Sequence, residues 1–144
     1  MSERKRVLFL CTHNSARSQM AEGFLRDLAG DRFDVVSAGT RATVVHPFAI
    51  QAMAESGVDI SLHKSKPVGR FLGQPFDLII TVCDDAAEEC PWFPNARERR
   101  HWSFPDPSKA AGTDEERFAA FAKVRDDIRS RIEQELVPDA LPAV

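Results

Sequence analysis

Residues Val7-Leu8-Phe9-Leu10 form an unbroken apolar run that ends in Cys11, and helical sequence begins near Ser18. A strand that is apolar at every position, not every second one, is buried on both faces, as in a parallel sheet covered by helices. From Ser18 to Leu28 the residues Met20, Phe24 and Leu28 recur at helical spacing, and Gly30 stands where a helix commonly stops. The loop between them therefore joins the carboxyl end of a strand to the amino end of a helix. Its backbone N–H groups can turn inward, and the helix adds its positive end. Arg17 brings a planar, permanently charged fork that suits two oxygens of a tetrahedral anion. Cys11, at the floor of such an oxyanion cradle, reads as a nucleophile whose surroundings favour the thiolate. The plainer alternative is a buried strand-end cysteine followed by an arginine by chance, since Cys-x5-Arg alone is common. The apolar strand, the serine after the arginine and the following helix favour the cradle.

The alternation continues along the chain. Phe33 to Ser37 reads as a second strand, closed by Ala38-Gly39. His46-Pro47 opens a helix that carries Ile50, Met53 and Ala54 and ends at Gly57. Pro67 to Leu72 reads as a short helix, and Phe76 to Val82 as a β-branched, apolar strand. Asp84-Asp85 offers an N-cap and a negative first turn for a short helix over Ala86 to Glu89. The basic stretch Arg97 to Arg100 leads into His101-Trp102-Ser103-Phe104, read as a fourth strand stopped by Pro105-Asp106-Pro107. Thr113 to Leu136 is a long amphipathic helix with Phe118, Phe121, Val124, Ile128, Ile132 and Leu136 on one stripe. The tail from Val137 reads as frayed.

Strands alternating with helices, without hairpin signals, predict an α/β fold: an open parallel sheet of about four strands with helices on both faces. The 144 residues suit a single domain, 1–144, with no internal repeat or linker. Ligands of such sheets sit at the carboxyl ends of the strands. Cys11, Cys83 and Asp106 each fall just past the end of a predicted strand, on one rim.

Composition narrows the chemistry. The chain is 43% hydrophobic and 28% charged with a net charge of −3, which argues against a nucleic-acid partner. No apolar run approaches the ~18 residues of a membrane span and no signal peptide opens the chain, so the cytoplasm is expected. Cytosolic thiols stay reduced, so the three cysteines read as catalytic or inert and not as a disulfide framework. The spacing of Cys83 and Cys90 falls outside zinc-ligand patterns and no paired histidines follow, so no metal site is expected. On a helical reading of Asp84 to Glu89 the two sulfurs lie ~10 Å apart, given a ~1.5 Å rise per residue. A disulfide needs Cα atoms within ~7 Å. The pair can bond only if that segment unwinds, which is a barrier for structural thiols and a gate for redox partners. The plain alternative leaves Cys83 in the core and Cys90 exposed.

Asp106, flanked by prolines that restrict its loop, can hold a carboxyl over a pocket as a general acid; otherwise it is a turn aspartate. Among the histidines, His13 reads as an entrance residue, His46 as a helix-start residue, His63 as a candidate neighbour of the second cysteine and His101 as a strand residue. Trp92 and Phe93 form an apolar corner that packs, or attracts a partner if the segment loops out.

With these pieces in place, the chain from Lys5 to Ile132 resembles the low-molecular-weight phosphotyrosine phosphatase superfamily, and more closely its thioredoxin-coupled arsenate reductases. The matching motifs, in the family's order, begin with Cys-Thr-His-Asn-Ser-Ala-Arg-Ser-Gln-Met-Ala-Glu (11–22), Ser-Ala-Gly-Thr (37–40) and Val-Asp-Ile-Ser (58–61). Thr-Val-Cys (81–83), Cys-Pro (90–91) and His-Trp-Ser-Phe-Pro-Asp-Pro (101–107) complete them. The cradle is common to phosphatases and reductases, whereas Cys83 and Cys90 match the reductases alone. The phosphatases typically carry a Tyr pair after the Asp-Pro; this chain has no tyrosine, and Ser108-Lys109 stands there.

The resemblance implies a mechanism. Cys11 attacks arsenate held by the backbone of Thr12, His13, Asn14, Ser15 and Ala16 and by Arg17, with phosphate or sulfate as competitors. Ser18 supports the thiolate and Asp106 protonates the departing oxygen. Cys83 then attacks Cys11 and arsenite leaves. Cys90 resolves the Cys11–Cys83 disulfide, and the Cys83–Cys90 pair is presented to thioredoxin, the expected reductant. No tightly bound cofactor is expected. Some relatives bind potassium through residues matching Asn14, Glu22, Ser37 and an aspartate. Lys66 stands at the aspartate's position, where its ammonium can take the cation's place beside Glu22, which argues against a potassium site. Ala16 replaces a further cysteine of some relatives. Two other readings are a small phosphatase acting on phosphotyrosine or aryl phosphates, and a non-catalytic oxyanion or redox sensor signalling through Trp92-Phe93. The expected partners are arsenate and thioredoxin, with no nucleic acid and no membrane, and the expected state is a monomer.

Overall fold

β1 (Lys5–Cys11) is the spine of the sheet, buried from Val7 to Cys11 because a strand hydrogen-bonds on each side of it. The computed structural model describes residues 4–83 and 96–140; the expected helix over Ala86 to Glu89, Cys90 and the Trp92-Phe93 corner lie outside them. β2 (Phe33–Gly39) and β3 (Phe76–Thr81) flank β1, and β4 (Ala96–His101) lies outside β3. All pairs are parallel, in the order β2-β1-β3-β4. The register sets Cys11 opposite Gly39 and Leu10 opposite Thr81, so both flanking strands end level with the nucleophile.

Alternate residues of β1 feed two cores. Val7 and Phe9 join the larger one, with α1 (Arg17–Ala29), α2 (Pro47–Glu55) and α3 (Asp114–Glu135). Leu8 and Leu10 face the other side, where the 3-10 turn Val68–Phe71 brings Phe71 against Phe76 and Ile79. Helical elements thus cover both faces, unequally. α3 starts as its sequence dictates: Thr113 Oγ1 accepts from Glu116 N (3.1 Å) while Glu116 Oε1 accepts from Thr113 N (3.2 Å), a reciprocal cap. Its stripe Phe121, Val124, Ile128 and Ile132 is buried. Arg125, beside that stripe, reaches Ala52 O (2.9 Å) and Glu55 Oε1 (2.8 Å), which ties α3 to the end of α2.

Two expectations are corrected. The fourth strand is Ala96–His101, the stretch read as a basic lead-in, and not His101 to Phe104. β4 is an edge strand: Arg97, Glu98 and Arg99 are exposed, and their charges block pairing with a further strand. Trp102 and Phe104 are instead buried just past its end, with Trp102 stacked 6.1 Å from Phe9. The start of the tail, up to Ala140, is helical and not frayed. After the buried Leu136, Val137–Ala140 form α4 against α1 and α3. Among the described residues no helix is long and apolar enough to cross a membrane.

Candidate active site

The loop between β1 and α1 is held from behind by its carbonyls. Thr12 O accepts from Arg41 N (2.8 Å), His13 O from Ser65 Oγ (2.8 Å) and Asn14 O from Gln19 Nε2 (3.3 Å). Ser15 O accepts from His46 N (2.9 Å) and Ala16 O from Met20 N (2.8 Å). By contrast, the N–H groups of His13, Asn14, Ser15 and Ala16 donate to no acceptor among the described residues. In a trans peptide the C=O and N–H point opposite ways, so carbonyls tied outward leave the amides turned in, as an anion-binding nest requires. Asn14 makes the turn at φ 52°, in the left-handed region that asparagine tolerates. Gly39 backs the loop. A Cβ there would stand 2.6 Å from Thr12 O, 2.8 Å from Asn14 N and 3.0 Å from Cys11 O, all backbone atoms, so β2 can end against the loop only as glycine.

Cys11 lies at the floor, 2% exposed, with Sγ 2.9 Å from Ser18 Oγ. The direction of that hydrogen bond follows from the groups behind it. Asn14 Nδ2 donates to Ser18 Oγ (2.8 Å) and to Ser37 Oγ (2.9 Å), while Asn14 Oδ1 accepts from Gln19 Nε2 (2.9 Å) and Lys66 N (2.8 Å). Ser37 Oγ passes its own proton to Glu22 Oε1 (2.6 Å). Because Ser18 Oγ receives a proton from Asn14, its hydrogen is available to Cys11 Sγ, the orientation that supports a thiolate.

Glu22 anchors this chain of bonds. It is 4% exposed and faces Arg26 Nη1 (2.9 Å), Lys66 Nζ (3.3 Å) and His63 Nδ1 (3.6 Å). Burial pushes its carboxyl up, but Lys66, the Ser37 hydroxyl, Arg26 and His63 together outweigh burial and hold it below the ordinary value. The sequence expectation for Lys66 is met: its ammonium sits on Glu22. A potassium ion does not fit this set, because Glu22 Oε1 already receives the ammonium and the Ser37 hydroxyl, and Asn14 Oδ1 already accepts two hydrogen bonds. His63 does not serve the second cysteine as expected. It lies against α1, with Nδ1 3.0 Å from Gln19 Oε1 and Nε2 3.2 Å from Arg26 Nη1. Burial, against the pull of Glu22, pushes its imidazole below the ordinary value, with Arg26 and Lys66 adding to the push.

Arg17 is 3% exposed; its Nη1 donates to Phe104 O (3.2 Å) and its Nη2 lies 3.7 Å from Asp106 Oδ2. Asp106 Oδ1 accepts from Ser108 N (2.9 Å) and Ser108 Oγ (2.7 Å), capping the turn Pro107–Lys109. One carboxylate oxygen is thereby fixed and the other turned toward Arg17. Cys11, Arg17 and Asp106 share a cavity of about 160 Å³ with the loop and with Thr43, His46 and Ser108. Cys83 follows β3, fully buried, its Sγ 3.9 Å from the carbonyl of Leu10, the residue before Cys11. Cys11 and Cys83 are both free thiols, at the ends of neighbouring strands. Sequence reasoning did not place Thr43, His46 or Ser108 in the cavity. The proline after His46 signals only a helix start, and the one before Ser108 only the stop of a strand.

Residues 6–141 match the low molecular weight phosphotyrosine protein phosphatase model, and the chain belongs to that family. An arsenate reductase of Halalkalibacterium halodurans is 51% identical over 129 residues, covering 90% of this chain and 93% of the relative. The arsenate reductase of Bacillus subtilis is 46% identical over 132 residues, covering 92% and 95%. Among solved structures, an arsenate reductase in the phosphate binding state superposes with a TM-score of 0.76 at 32% identity, covering 95% of this chain and 99% of that one. A thioredoxin-dependent arsenate reductase of Corynebacterium glutamicum gives a TM-score of 0.62 at 26% identity, covering 97% of this chain and 65% of that one. Within its family, the chain stands with the arsenate reductases.

Proposed function

We propose that this enzyme reduces arsenate to arsenite through Cys11, Cys83 and Cys90, with thioredoxin restoring the thiols. The observation that carries the proposal is the loop with its carbonyls tied outward and its amides unpartnered over Cys11, with a second free thiol at the end of the next strand. The unpartnered amides and the Arg17 fork suit the oxygens of a tetrahedral oxyanion. Cys11 Sγ attacks arsenic, and the oxygen that departs takes a proton from Asp106, whose Oδ2 lies beside Arg17. Cys83 Sγ next attacks Cys11 Sγ. The new S–S bond forms as the S–As bond breaks, and its electron pair stays on arsenic, which leaves as arsenite. Cys90 attacks Cys83, releasing Cys11, and a thioredoxin dithiol reduces the Cys83–Cys90 bond. One arsenate and two thiols thus give arsenite, water and one disulfide.

The cradle by itself also suits a phosphatase, and slow hydrolysis of aryl phosphates is a consistent side activity. Cys83, beside the strand end that carries Cys11, is what a hydrolase has no use for. The reading sets the enzyme in the cytoplasm, where thioredoxin works. The same reading takes the enzyme to act as a monomer. The decisive assay is arsenate-dependent NADPH oxidation with thioredoxin and its reductase, beside glutathione alone. Turnover with thioredoxin that is lost in Cys11→Ser, Cys83→Ser and Cys90→Ser is the expected result. Equal turnover with glutathione would remove the thioredoxin step. Aryl phosphate hydrolysis with no arsenate-dependent oxidation would leave a phosphatase.

A further inference from the structure

We propose that His46 is an oxyanion-binding residue, whose Nε2–H donates to an oxygen of the anion held over Cys11. The proposal rests on reading the loop as the oxyanion site. His46 lines the same small cavity as Cys11, Arg17 and Asp106. Its Nδ1 accepts from Phe48 N (3.0 Å), capping α2, so in the uncharged ring the proton sits on Nε2. Nε2 has no partner among the described residues, and no buried side-chain nitrogen or oxygen among them lacks one, so Nε2 is a donor within reach of solvent and of a bound anion.

The ring is also held still. Its centroid lies 4.5 Å from that of Phe121 and 5.4 Å from that of Phe48. Its backbone N–H donates to Ser15 O (2.9 Å), which locks His46 to the oxyanion loop itself. Two charged groups act on the ring, Arg117 from α3 and Asp106 from the loop after β4. Burial, aided by Arg117 and opposed by Asp106, pushes the imidazole below its ordinary value. Protonation would also put a hydrogen on Nδ1, facing the Phe48 N–H. His46 therefore offers a directional donor without charge, a complement to the Arg17 fork. Such a donor favours an anion with free, charged oxygens over an ester whose bridging oxygen accepts poorly, and so contributes to selecting inorganic oxyanions.

Inorganic phosphate is the probe. His46→Asn keeps a side-chain oxygen to cap α2 but has no counterpart of the Nε2 donor. Calorimetric titration should show phosphate bound roughly ten- to a hundredfold more weakly, the range for a hydrogen bond to a charged group. Thermal unfolding without phosphate should match the parent. In the unsubstituted protein, nitrogen NMR of the imidazoles should show His46 protonated on Nε2, with that signal shifting when phosphate is added. A parent that binds no phosphate overturns the cradle and this proposal together. A parent that binds it while His46→Asn binds equally well, or while the Nε2 signal stays put, overturns the role of His46 alone. Should His46→Asn unfold early, the imidazole spectrum of the unsubstituted protein still decides.

Discussion

Replacing Lys66 with methionine removes one of the two permanent cations on Glu22 at little cost in shape. Both partners are largely out of water, their side chains 16% and 5% exposed. Leaving a buried charge without a partner costs about 3–5 kcal/mol. Here Arg26 remains 2.9 Å away, half-exposed and so partly screened. Roughly half the penalty is then expected, ~2 kcal/mol, which for a chain of this size lowers Tm by roughly 4–8 °C. The pH dependence gives the sharper test. Glu22 is held below its ordinary value, so its ionised form stabilises the fold above that value and the contribution fades as pH falls through the folded-state value. Without Lys66 the carboxyl titrates higher. The deficit should be full at neutral pH and shrink on acidification, followed by urea unfolding across a pH series. Adding Glu22→Gln to Lys66→Met removes the stranded charge and should recover most of the loss. An unchanged Tm at neutral pH, or a deficit that ignores pH, would refute the assignment of Lys66 as the fixed counter-ion.

Arg17→Lys should cost ~10²- to 10³-fold in arsenate turnover, nearly as much as Arg17→Ala, since a point charge cannot supply two parallel N–H donors; equal activity would reduce Arg17 to a charge. Asp106→Asn should slow aryl phosphate hydrolysis by ~10²- to 10⁴-fold while phosphate still binds. Lost phosphate affinity with unchanged turnover would make it a turn aspartate. Gly39→Ala drives a methyl group into the backbone of Thr12 and Asn14, and displacing the loop by even ~1 Å should cost about a hundredfold in activity with the helix content unchanged by circular dichroism. Full activity there would mean that β2 does not shape the loop.

The cradle was legible because its determinants are local. A buried parallel strand is apolar at every position, Met20, Phe24 and Leu28 mark the helix by their spacing, and the six residues between have nowhere else to go. β4 was misplaced for the opposite reason. With one neighbour and solvent around it, Arg97, Glu98 and Arg99 carry no apolar period, while Trp102 and Phe104 look like a strand but pack as a cap beyond it. His46 shows the limit more finely. Its helix-start role is a property of His46-Pro47, but its place in the cavity depends on a hydrogen bond to Ser15, remote in sequence. His63 was read toward Cys83 and lies on α1, a choice made by the packing of the 58–66 segment that no spacing encodes.

Asn14 uses both hydrogens and both lone pairs of its carboxamide, and that completeness bears on how the enzyme ages. Asparagine followed by a small residue, here Ser15, is chemically prone to lose ammonia and become aspartate. An Asp at position 14 would set acceptors against Ser18 Oγ and Ser37 Oγ and a second negative charge near Glu22. Ser18 would then turn its hydrogen away from Cys11, and the site would fall silent with all three cysteines intact. The same four hydrogen bonds hold the carboxamide away from the cyclic intermediate that deamidation requires. The bonds that aim a proton at the nucleophile therefore also govern the chemical lifetime of the active site.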